Sequence, residues 1–134
     1  MKTLLFTLSL FLFTSCNSDS SYEPTHQDIK RSLEETEKSS PIEFLKAEGT
    51  YRQNLIDEWV LEGTISNTAS LAKYKDVVLK IVYYSKTQTE IGSEEKTLFE
   101  YFKPNTQQKF RIKTAGFDGT ASIGFEVISA NAVE

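Results

Sequence analysis

Val77-Val78-Leu79-Lys80-Ile81-Val82-Tyr83-Tyr84 is the stretch on which the fold turns. β-branched and aromatic residues occupy it at both odd and even positions. A strand built from it is therefore apolar on nearly both faces, as in a strand central to its sheet whose second face is partly covered. Lys80 is its one charge and marks the wetter side.

The flanking segments alternate instead. Trp59, Leu61, Gly63 and Ile65 share one face, and Glu58, Glu62, Thr64 and Ser66 the other, which is the pattern of a half-buried strand with Trp59 in the core. Further on, Phe110 and Ile112 alternate with Lys109, Arg111 and Lys113, and Ile123, Phe125 and Val127 with Ser122, Gly124 and Glu126. The periodicity predicts six strands, at Glu43–Arg52, Glu58–Ser66, Asp76–Ser85, Lys96–Phe102, Lys109–Thr114 and Thr120–Ala130. In Ala115-Gly116-Phe117-Asp118-Gly119 the Asp-Gly pair tolerates positive φ, so a tight hairpin is expected between the last two strands. Lys103-Pro104-Asn105-Thr106 is a second turn.

Short antiparallel strands with one dry face each give an all-β sandwich or barrel, because two such sheets bury each other's faces. The expected core is Trp59, Leu79, Ile81, Phe99, Phe110, Ile112, Ile123, Phe125 and Val127. Gly49-Thr50-Tyr51 and Gly63-Thr64-Ile65 each follow a glutamate, a recurrence common enough among strands to be read as chance.

Residues 42–134 thus form the folded domain, and residues 16–41 a polar linker. Its stretch from Asn17 to Ser40 has only Ile29 and Leu33 as aliphatic residues and cannot bury enough surface to fold alone. Thr25-His26-Gln27-Asp28 has the form of a helix capping box, and Lys30/Glu34, Arg31/Glu35 and Glu34/Lys38 are spaced for surface ion pairs, which outlines a helix from His26 to Lys38. A two-residue apolar stripe is thin, so the segment is read as a solvated, partly helical tether.

Residues 1–15 read as a signal peptide. Met1, Lys2 and Thr3 form a positive start, and Leu4 to Phe13 an apolar run interrupted by Thr7 and Ser9. Ten residues of helix rise about 15 Å, half of a hydrocarbon core, which is too short to span a bilayer. Phe13-Thr14-Ser15-Cys16 then resembles the lipobox of bacterial lipoproteins, which implies cleavage before Cys16 and lipidation of its sulfur. The alternative is an ordinary secretory signal cut near Ser15. Cys16 is the only cysteine, so it cannot close an intrachain disulfide, and lipidation would remove an exposed thiol. By the same resemblance Asn17 implies the outer membrane, and Asn17-Ser18-Asp19-Ser20 is similar to the surface-export signal of Bacteroidetes-type lipoproteins.

The formal charge is −4, and removal of Lys2 with the signal would make it −5. Such a chain has no basic run to neutralise phosphates or to bind an anionic surface beside its lipid, so no nucleic-acid partner is expected. His26 is the only histidine and lies in the tether, away from any Ser-His-Asp device on the domain. With Cys16 blocked, a transition-metal site lacks its usual ligands. Asp57/Glu58 and Glu94/Glu95 are adjacent pairs whose members point to opposite faces, so they read as solvated charges at strand ends rather than as an acid and base pair. Calcium at Asp118 or at the Glu94/Glu95 loop would lack the Asp-x-Asp-x-Asp-Gly pattern. No Gly-rich phosphate loop occurs, so neither cofactor nor catalysis is expected.

The aromatic residues are the remaining candidates. Tyr83 and Tyr84 must face opposite ways, as must Tyr101 and Phe102, which makes Tyr84 and Tyr101 the candidate ligand-binding residues.

Leu61-Glu62-Gly63-Thr64-Ile65-Ser66-Asn67, Tyr74-Lys75-Asp76-Val77, Ile81-Val82-Tyr83-Tyr84-Ser85 and Phe102-Lys103-Pro104-Asn105-Thr106 occur in the order and spacing of another family. From Trp59 to about Ile112 the chain resembles the FxLYD domain of exported bacterial proteins, keeping Tyr84 of the naming pentapeptide, with Ile81, Tyr83 and Ser85 at its Phe, Leu and Asp positions. The resemblance implies an immunoglobulin-like antiparallel β-sandwich and a non-enzymatic envelope module. The expectation is therefore a lipid-anchored module for protein binding or assembly. A carbohydrate-binding surface lipoprotein is the alternative, and a carboxylate hydrolase ranks last.

Overall fold

The computed structural model describes residues 22–134. The segment 1–15 that reads as a signal peptide, and Cys16, lie outside the described residues. Two short helices, α1 (His26–Ser39) and α2 (Pro41–Phe44), precede six strands: β1 (Leu45–Gln53), β2 (Trp59–Asn67), β3 (Tyr74–Tyr84), β4 (Glu90–Phe102), β5 (Thr106–Thr114) and β6 (Ser122–Ala132). They form two antiparallel three-stranded sheets, in the orders β1-β2-β5 and β4-β3-β6. The sheets pack face to face, and the apolar stretch at 77–84 becomes the central strand of the second sheet.

The inner face of β3 is fully buried through Tyr74, Val77, Leu79, Ile81 and Tyr83, and Leu61 and Ile65 of β2 oppose it from the first sheet. Trp59, Phe110, Ile112 and Ile123 join this core as expected, while Phe125 and Val127 pack against it partly buried. Phe99 does not, being 81% exposed. On β4 the inward parity belongs to Leu98 and Phe102, so alternation turns Phe99 to the outside. Tyr83 and Tyr84 divide as predicted, the first completely buried and the second half-buried on the outer face.

Four local features depart from the sequence reading. The first strand begins at Leu45, because Ser40-Pro41 starts a single helical turn with proline at its first position. The fourth begins at Glu90, six residues early; it is an edge strand carrying Glu94, Glu95 and Lys96, and such polar edges show little hydrophobic alternation. The segment 115–121 is not a hairpin, since β5 pairs with β2 and β6 with β3, so the connection crosses from one sheet to the other. Both its glycines have positive φ, and at Gly116 a Cβ would lie 2.6 Å from the Trp59 ring. The two Glu-Gly-Thr triplets have a structural use that the sequence does not announce, because Gly49 and Gly63 are register partners, with Glu48 facing Thr64 and Thr50 facing Glu62. A Cβ on Gly63 would come within 2.1 Å of the Glu48 carbonyl oxygen, so the two glycines permit the close approach of β1 and β2.

The outer face of the first sheet follows from the same register. It carries Lys46, Glu48, Thr50 and Arg52 of β1, Val60, Glu62, Thr64 and Ser66 of β2, and Gln107, Lys109, Arg111 and Lys113 of β5.

Helix α1 is more than a solvated spacer. Thr25 and Asp28 form the capping box at its start, and its last turn is docked on the sandwich by Glu37, which is 1% exposed.

Candidate functional site

The sandwich has two poles. One holds α1, α2 and the β2–β3 and β4–β5 connections; the other, distal to the helices, holds the connections β1–β2, β3–β4 and β5–β6.

At the helical pole the backbone N–H groups of Ser70, Leu71 and Ala72 converge on the Glu37 carboxylate at 2.7, 2.8 and 2.8 Å. The Tyr74 hydroxyl donates to the Glu37 carbonyl at 2.6 Å. Asn67 completes the turn, donating to the carbonyls of Ala72 and Phe102 and accepting from the Ala69 N–H. Burial pushes the Glu37 carboxyl upward, but the three N–H donors outweigh it and hold the group below the usual carboxylate range. Burial, with the Glu37 charge nearby, pushes the Tyr74 phenol up to about 12. Every donor here is already engaged, so the cluster is a clamp and offers nothing to a ligand.

The distal pole is built from aromatic residues. Tyr51 meets Trp59 edge-on at 5.9 Å, and Phe117 meets Tyr83 edge-on at 5.1 Å while lying where a side chain on Gly92 would be. Between the sheets the Tyr83 and Thr114 hydroxyls both donate to Glu94 Oε1, and Lys96 Nζ stands 3.4 Å from Oε2. Glu94 is therefore not a solvated charge at a strand end. Burial raises its pKa, the Thr114 and Tyr83 hydrogen bonds and Lys96 lower it, and the net shift is downward. Burial and the bond to Glu94 push the Tyr83 phenol well above its ordinary value. Glu95, on the opposite face, is exposed, so the adjacent acids act separately as the alternation requires.

The β1–β2 connection forms the tip of this pole. Asn54 Oδ1 accepts from the N–H groups of Ile56 and Glu58, both at 3.0 Å, and Nδ2 donates to the Glu58 carboxylate at 2.9 Å. The Asn54 N–H donates to the Glu58 carbonyl, and Asp57 takes φ 60° to close the loop. One side chain thus fixes the whole turn. What the fixed turn presents is Leu55, fully exposed at 103%, and Ile56 at 73%. Sequence reasoning passed over this pair; the available signal was an aliphatic dipeptide set among the turn residues Asn54 and Asp57.

The predicted candidates lie elsewhere. Tyr84 is on the outer face of the second sheet, its ring over Gly124, in a shallow depression with Val82 and Glu126. Tyr101 is 57% exposed at the other end of the same strand pair, with Lys73 Nζ 4.2 Å from its ring centroid. Tyr101 pairs with Lys75 and Tyr84 with Glu90, so the two rings are separated by about 30 Å of strand and cannot share one ligand. No group of three or more His, Cys, Asp or Glu side chains among the described residues is arranged to hold a metal ion. Comparison with family models, with curated proteins and with solved structures finds no match to this chain.

Proposed function

We propose that the chain is a lipid-anchored, non-catalytic module of the bacterial cell envelope that docks a partner protein through its distal tip. The observation that carries this reading is the Leu55-Ile56 pair, held out in water by the hydrogen bonds of Asn54. Scattered apolar residues on a surface need no explanation, but a preorganised tip presenting two adjacent aliphatic side chains is the form of an interface anchor. The tip stands at the pole opposite the helices that lead to Cys16, which suits a module tethered at one end and binding at the other. In strand order β1-β2-β5 over β4-β3-β6 corresponds to strands A-B-E and C′-C-F of an immunoglobulin-like sandwich, which supports the FxLYD-like reading.

Two measurements test it. Cys16→Ala should move the protein from the membrane to the soluble fraction, and an unchanged membrane pellet refutes the anchor. A photo-crosslinking side chain at position 55 in living cells should capture one protein reproducibly, and the same side chain at Lys103, exposed at the helical pole, should not. Equal capture from both sites refutes the tip.

The depression beside Tyr84 favours one alternative, a glycan-binding surface, because an aromatic ring with Glu126 nearby suits a sugar. A glycan array that loses its signal with Tyr84→Ala would select that reading over the first.

A further inference from the structure

Strand pairing collects charge that the linear sequence disperses. The outer face of the β1-β2-β5 sheet carries five cations, Lys46, Arg52, Lys109, Arg111 and Lys113, against two carboxylates, Glu48 and Glu62. Its net charge is +3 in a chain of net −4, so the rest of the molecule carries −7. Glu62 lies between Arg111 at 3.1 Å and Arg52 at 3.9 Å, and Lys46 holds Glu48 at 2.7 Å. Lys109 and Lys113 are exposed and, among the described residues, are in no ion pair. Alternate residues on a strand stand about 7 Å apart, so Lys109, Arg111 and Lys113 form a row about 13 Å long, with Lys46 and Arg52 two strands away.

We infer that this face binds anionic lipid headgroups and lays the sandwich on its side against a membrane. The chemistry of the face selects that occupant. Its cations stand on β1 and β5, at the two edges of the sheet with β2 between them, so they spread in two dimensions rather than along one line and meet a planar array of phosphates more completely than they would a linear polymer. No aromatic side chain points outward from it, so it has no platform on which bases or sugar rings would stack. Long flexible cations on a sheet surface are the form that tracks a fluid charged plane. In that orientation the Leu55-Ile56 tip points along the membrane, toward a partner in the same plane. The inference rests on the envelope reading for where such a surface would be met, but not for whether the face binds one.

The test uses the chain from residue 16 onward carrying Cys16→Ser, so that neither the apolar leader nor a lipid is attached and failure of the anchor cannot be mistaken for failure of the face. Co-sedimentation is measured with vesicles of phosphatidylcholine alone and with vesicles containing about 30% phosphatidylglycerol at low salt. The anionic vesicles should bind at least about tenfold more protein than the neutral ones, since each cation near such a surface contributes about fivefold. Lys109→Glu with Lys113→Glu should abolish the difference, while Lys86→Glu with Lys103→Glu, an equal charge change on the connecting loops, should preserve it. Lys109→Ser with Lys113→Ser should give an intermediate value. Equal binding to both vesicles overturns the inference, as does equal loss from the two glutamate pairs. Capture by soluble RNA or polyglutamate without a lipid preference also overturns it, and makes the face a general polyanion site.

Discussion

The two poles of the sandwich solve opposite problems. The helical pole buries a charge, Glu37, and surrounds it with three N–H donors, so a carboxylate disappears from the surface. The distal pole uses a polar side chain, Asn54, to hold two aliphatic side chains out in water. Burying a carboxylate costs free energy unless its oxygens are satisfied, and exposing Leu and Ile forgoes the gain of burying them. The first arrangement is what a structural joint requires, because it fixes α1 against the body. The second forgoes that burial within the isolated fold, and the docking proposed for the tip would recover it.

Substitutions at the two poles should separate these roles. The largest effect is expected from Trp59→Ala at the base of the distal pole, a loss of about 3–5 kcal/mol in urea unfolding, because the buried ring packs against Tyr51 and seats Gly116. Glu37→Ala should cost about 3 kcal/mol by leaving three N–H groups unpaired, and hydrogen exchange should quicken in α1 but not at the tip. Glu37→Gln should lose less, since its amide oxygen can still accept from Leu71 and Ala72 and only the Ser70 N–H is left facing a nitrogen that cannot accept. Gly63→Ala should cost about 1–3 kcal/mol, because the new Cβ meets the Glu48 carbonyl of the neighbouring strand.

The carboxylates give the poles a shared pH dependence. Glu37 and Glu94 both titrate below the ordinary value of 4.5 in the folded chain, so the unfolded chain binds more protons across the acid range. Their stabilisation is complete above the ordinary carboxylate value and is lost as pH falls through the lower folded values. The Tm should therefore decline on acidification, and Glu37→Gln should make that decline shallower. The smallest change in stability is expected from Leu55→Ser with Ile56→Ser, within about 0.5 kcal/mol, although the same pair should abolish partner capture. A large stability loss there would make the tip part of the fold after all.

Most of the architecture was legible because alternation is a local property. The central strand at 77–84, the buried Trp59 and the opposed Tyr83 and Tyr84 all follow from a period of two. Phe99 was misassigned because two parities compete on a short aromatic run, and only the pairing of Val77 with Leu98 decides between them. The connection at 115–121 was misassigned because glycine chemistry announces a turn without saying which strands it joins. Of the candidate site, Tyr84 and Tyr101 lie outside the main core as alternation leads one to expect, but their separation depends on strand pairing, and the Leu55-Ile56 tip carries no periodic signal.

The sequence by itself determined which residues alternate, where turns fall and where the first helix is capped, since each depends on neighbours a few positions apart. Only the tertiary structure decided what lies beside what. Gly49 met Gly63, Glu37 met the N–H groups of residues 70–72, and cations from β1 and β5 came to share a face with no basic run behind it. Hydrogen bonds between strands set those neighbours, and they join residues that the chain itself keeps far apart.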